Sequence, residues 1–137
     1  MCSGSDALAD ADVAAEFIRA FNDGDVAAFE ALVDPEVELH SRRGLRRGRD
    51  AARRWATRSP GGVQQSILVE RMRAREEPGR SAVVVALISR RWHWEEDGSF
   101  AGAEPMAWLF ELRDGLVLSW RPFECREDAL RAAGLGA

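Results

Sequence analysis

Apolar residues recur at helical spacing near the start of the chain. Val13, Phe17 and Phe21 fall at i, i+4 and i+8, and Ala14 and Ile18 widen the stripe, which predicts a helix with one face on a core. Asp10 or Asp12 suits its N-terminus, where a short carboxylate accepts from orphan amides, and Asn22-Asp23-Gly24 ends it. Asp25 restarts a short helix with Val26, Phe29, Leu32 and Val33 inward, which Asp34-Pro35 is expected to close. Residues 36–41 alternate and predict a strand, and the Arg/Gly run that follows reads as loop. Asp50 opens a third helix bearing Ala51, Ala52, Trp55 and Ala56, closed by Pro60-Gly61-Gly62. From there the period becomes two. Strands are expected over 63–76, 80–96, 99–113 and 116–124, with Asp97-Gly98 and Asp114-Gly115 as hairpin turns and Gly102 and Pro105 as a bulge signal. Residues 126–135 predict a closing helix that ends near Gly134.

Helices grouped ahead of a late meander mean α+β. The expected architecture is a cone: a curved antiparallel sheet wrapped around the N-terminal helix, with three main helices and a short C-terminal one. Residues 1–11 read as a flexible tail and 12–137 as one domain, as suits a chain of 137 residues. The longest apolar run, Ala82 to Ile88, is strand-sized, so no membrane span is expected. The N-terminus lacks the basic and apolar regions of a signal peptide, and Cys2 and Cys125 make no disulfide framework, which points to a reduced, cytoplasmic protein. All 19 basic residues are Arg against 23 acids, and a net charge of −4 argues against a nucleic-acid partner.

Strand parity supplies a candidate lining. If Phe110 and Leu112 face inward, so do Glu104, Met106 and Trp108. The same parity gives Leu118, Trp120 and Pro122 on the last strand and Val37, Leu39 and Ser41 on the first. With Phe17, Phe21 and Trp55 from the helices, the interior is largely aromatic and suits a small apolar or flat molecule. Glu104 is the single carboxylate of that set. Its hairpin partner is Arg90 or Arg91, and two placements stand for it: inside the cone, or at the rim in a cross-strand ion pair. His93, near the hairpin tip, reads either as a proton shuttle or as a solvated histidine. His40 alternates with Leu39 and points the other way. Eight arginines between 42 and 58 are either an anion site or a solvated face. The two histidines show no metal-ligand spacing, so no metal is expected.

Two stretches carry a resemblance: FIRAFNDGDVAAFEALVDPEVELH and WLFELRDGLVLSWRPFECREDALRAAGL. Together they resemble the SnoaL-like branch of the nuclear-transport-factor-two-like superfamily, over about Asp12 to Leu135. The resemblance implies a cone-shaped α+β barrel open at one end, commonly a homodimer through the outer face of its sheet. Members include ketosteroid isomerases, polyketide cyclases, epoxide hydrolases and scytalone dehydratase. Phe17 stands where the isomerase has its tyrosine, Ser41 (beside His40) where it has its base, and Trp108 near its protonated aspartate. Trp120-Arg121-Pro122 puts proline where the epoxide hydrolase carries an acid, and the stretch of Ile88 and Arg90 lacks that enzyme's second carboxylate. Taken with the lining read from parity, this leaves a cofactor-independent acid/base enzyme in which Glu104 moves a proton and Arg90 or Arg91 steadies negative charge. The alternative is a non-catalytic binding or dimerisation module of the same fold.

Overall fold

Helix α1 (Ser3–Asp23) starts well ahead of Asp10 and buries Ala14, Phe17 and Ile18 along the stripe the sequence marks. Gly24, at φ +68°, turns the chain, and the Asp25 carboxylate accepts from the Ala28 amide to open α2 (Val26–Leu32). The second helix stops one residue before Asp34-Pro35, and Val33 already begins strand β1 (Val33–Ser41). Pro35 sits where the pairing of β1 shifts between Val33 and Glu38, so its missing amide costs no ladder bond. The expected Arg/Gly loop contains a short strand, β2 (Gly44–Arg47), which pairs antiparallel with β1 and is framed by Gly44 and Gly48, both at positive φ. Then follow α3 (Arg49–Thr57), β3 (Val63–Glu77), β4 (Ser81–Trp94), β5 (Phe100–Arg113), β6 (Leu116–Phe123) and α4 (Arg126–Ala132). This computed structural model describes residues 3–41, 44–57, 63–77 and 81–135, with side chains for 10–41, 44–55, 64–76 and 81–135.

The six strands form one sheet in the order β2-β1-β6-β5-β4-β3. The meander β3 to β6 is antiparallel, as its turns require, but β1 lies parallel to β6. The sheet is therefore mixed, not wholly antiparallel. Alternation identifies a strand and says nothing of its direction beside a neighbour remote in sequence. Strands β4 and β5 are buried on both faces along part of their length, which explains the unbroken run Ala82 to Ala86. On the inner face Val84, Ile88, Phe110, Leu112, Val117 and Trp120 pack on Phe17 and Phe29. On the outer face Val83, Val85, Ala107 and Leu109 pack under Ala129 and Ala133 of α4. The outer face expected to join two copies is thus occupied over β4 and β5 by the chain's own last helix.

Three polar devices fix the frame. Asn22 donates to the Ile67 carbonyl at 2.9 Å and accepts from the Ile67 amide at 2.8 Å, covering the backbone of edge strand β3. Arg73 and Arg75 donate to the carbonyls of Leu135 and Ala133, each at 2.9 Å, and so place positive charge at the C-terminal end of α4. Arg49 donates twice to the Val33 carbonyl, at 3.1 and 2.9 Å. One register detail departs from simple alternation. A bulge pairs Glu111 with Ser119 but Leu112 with Val117, so Leu118 lines an outer groove instead of the interior.

Candidate functional site

The inner face is built of rings. Phe17 lies 4.6 Å from Phe29, 5.0 Å from Phe110 and 6.1 Å from Trp55 between ring centroids. Trp55 stacks on Phe21 at 4.9 Å and reaches Trp120 at 4.6 Å and Trp108 at 6.1 Å. Trp108 meets Trp120 edge-on at 5.2 Å, an arrangement favoured by the ring quadrupoles. Leu39 is fully buried beside this cluster, and Phe17 and Phe110 are fully buried within it, while Phe21 and Trp55 are partly exposed. Phe17, Phe21, Leu39, Trp55, Met106, Trp108, Phe110 and Trp120 share one cluster, while Leu118 does not join it, and the rings are spent largely on one another. Ser41, on the same face of β1 as Leu39, is half-buried, and its hydroxyl donates to the Gly44 carbonyl at 3.2 Å.

Beyond Trp108 on β5 come Met106, buried, and then Glu104. The register opposes Glu104 to Arg90, not Arg91, and so closes the choice between the two. Their closest atoms, Glu104 Oε1 and an Arg90 terminal nitrogen, are 3.8 Å apart, with side chains 42% and 32% exposed. Glu104 therefore stands at the rim. At a rise of about 3.3 Å per residue it is roughly 13 Å along the strand from Trp108. Arg90 has two further neighbours that periodicity did not single out as its partners. Its Nε donates to Gln65 Oε1 at 2.8 Å, and its guanidinium lies 5.0 Å over the Trp92 ring. Trp92 in turn covers Gly102, where a Cβ would lie 3.6 Å from the indole. The three polar groups come from β3, β4 and β5, and the cross-strand register Gln65↔Trp92, Ile67↔Arg90, Arg90↔Glu104 assembles them.

His93 does not join this group. It lies three residues past Arg90 and so on the opposite face of β4, against Phe100 at 6.0 Å between ring centroids. His40 also faces outward. It lies 3.4 Å from Glu38 in a groove of about 590 Å³ whose walls include Glu111, Arg113, Ser119 and Arg121. Of the eight arginines between 42 and 58, Arg42, Arg43 and Arg58 lie outside the described residues. Arg47 approaches Glu38 and Arg53 approaches Glu30, both at 3.4 Å. Among the described residues no group of three His, Cys, Asp or Glu is close enough to hold a metal ion, and no helix is long and apolar enough to cross a membrane.

A helical hairpin and a third helix packed into a curled mixed sheet is the arrangement of a known family, and the SnoaL-like domain matches residues 14–120. The chain belongs to the SnoaL-like family. No curated protein matches it by sequence. Solved structures share the SnoaL-like fold at low identity. An epoxide hydrolase of M. tuberculosis superposes with a TM-score of 0.69 at 14% identity, over 95% of this chain and 92% of that one. A protein with a ketosteroid isomerase-like fold from Catenulispora acidiphila, solved with trimethylamine, gives 0.64 at 17%, over 90% and 92%. An NTF2-like protein of unknown function from Cytophaga hutchinsonii gives 0.60 at 17%, over 83% and 88%. These likenesses show the fold alone. The α+β cone is the architecture expected, with a sheet that is curved and not closed.

Proposed function

We propose that this SnoaL-like domain binds a small, flat, mostly apolar molecule against its aromatic inner face, with the molecule's polar end held by Arg90, Gln65 and Glu104. The observation that carries this reading is the cross-strand polar trio on the same sheet face as the aromatic cluster. An apolar surface with a few convergent polar groups is the usual form of a small-molecule site. Trp92 beneath the guanidinium limits its wandering, so little side-chain freedom is left to lose on binding. Titration with 2-naphthoate, whose carboxylate the guanidinium can hold, followed by tryptophan fluorescence, tests this. Arg90→Ala is expected to weaken binding about tenfold, the scale of a hydrogen bond to a charged group. Unchanged affinity would contradict the reading.

A second reading is favoured by the Arg90–Glu104 pair itself. A carboxylate next to a guanidinium can accept a substrate proton while the cation steadies the charge that develops, as in a cofactor-independent cyclase, isomerase, dehydratase or epoxide-opening enzyme. In that case Glu104→Gln abolishes turnover with little change in melting temperature, because the side chain is largely solvated. A Gln variant as active as the parent would eliminate it.

A further inference from the structure

Trp120 leaves one account unsettled. Its side chain is 3% exposed, yet its Nε1 has no hydrogen-bond partner among the described residues. Buried indole N–H groups ordinarily find an acceptor, and one left without is costly. The inner-face neighbours of Trp120 explain the shortage. Its partner on β1 is Leu39, its partner on β5 is Phe110, and Trp55 and Trp108 lie against its ring. None of these side chains carries an oxygen. Ser41 lies next along the inner face of β1; its hydroxyl donates to the Gly44 carbonyl and makes no bond with Trp120 Nε1.

We propose that the inner-face ligand carries an acceptor oxygen of the carbonyl or ether class, and that Trp120 Nε1 donates to it. This inference rests on the binding reading above and adds a second polar point, deep in the interior and separate from the rim trio. The N–H is a donor without charge, so it selects a neutral oxygen and gives no advantage to a hydrocarbon of the same shape. Trp55 lies against Trp120 and Phe21 against Trp108, both only partly buried, so the proposed route for a flat ligand passes them.

The test compares 1-tetralone with tetralin, which has the same ring frame without the oxygen. The indole N–H resonances of the whole chain are followed by proton–nitrogen correlation spectroscopy. The Trp120 signal is assigned by its absence from Trp120→Phe, or by through-space contacts to Leu39 if that variant does not fold. The ketone is expected to move this proton downfield and tetralin to leave it in place. Trp120→Phe is expected to lower the ratio of ketone to hydrocarbon affinity about three- to tenfold. If both compounds bind and the Trp120 proton moves with neither, or already resonates downfield in the free protein, the inference is overturned and the binding reading survives. If 2-naphthoate binds and neither of these compounds does, the inference is overturned and the binding reading survives; if none of the three binds, both fall.

Discussion

Asn22 shows how much one side chain can do. Its amide answers both backbone groups of Ile67 on the edge strand, at 2.9 and 2.8 Å, and holds the end of α1 where Phe21 covers the aromatic cluster. Asn22→Ala removes two part-buried hydrogen bonds and is expected to cost about 2 kcal/mol in urea denaturation, with faster amide exchange at Ile67. A loss near zero would mean that water replaces the amide without penalty. Gly134 is a second such position. At φ +72° a Cβ would meet the Arg75 guanidinium at 3.3 Å, and that guanidinium is bound to the Ala133 carbonyl. Gly134→Ala should destabilise by about 1–2 kcal/mol, part from left-handed backbone and part from displacing Arg75. Residue identities made this layer partly legible. Phe17, Leu39 and Phe110 are as buried as their spacing implied. Leu118 was not legible, because one bulged residue inverts parity and leaves no mark in composition.

Elements were read from punctuation, and punctuation is strongest where chemistry forces a conformation. Asp97-Gly98 turns β4 into β5, with Gly98 at φ +71° and the Asp97 carboxylate accepting from the Ser99 hydroxyl at 2.6 Å and the Ser99 amide at 2.9 Å. The hydroxyl first, and the amide second, hold the Asp97 carboxyl below its ordinary value of 3.8. A depressed carboxylate contributes to stability above 3.8 and loses that contribution as pH falls through its folded value. The turn should therefore loosen only in acid below 3.8, seen in the Ser99 amide shift, and Ser99→Ala should bring the Asp97 titration back toward 3.8. Titration of the parent at or above 3.8 would contradict this. Strand β2 was missed because four residues rich in Arg and Gly show too little alternation, although Gly44 and Gly48 frame it. The parallel pairing of β1 and β6 was missed because no local signal encodes the direction of a distant neighbour.

At the scale of the molecule, two apolar faces need two covers. Helices α1 to α3 close one and α4 closes the other, so β4 and β5 between them are buried on both sides over part of their length. The cone, its helix order and its family were legible because they follow from long periodic stretches and a nearly full-length likeness. The site was legible as a set of faces, not as an assembly. Parity put Glu104 on the inner face, but only the register shows it opposite Arg90, with Gln65 and Trp92 beside them. The same register keeps His93 on the other face. The central claim, that a flat molecule lodges on the inner face between the rings and the polar trio, is tested most directly by backbone and side-chain resonance mapping during titration with 2-naphthoate. Shifts should cluster on Phe21, Trp55, Arg90 and Glu104. Shifts gathered instead around His40, Arg113 and Arg121 in the outer groove, or none at saturating probe, would contradict it.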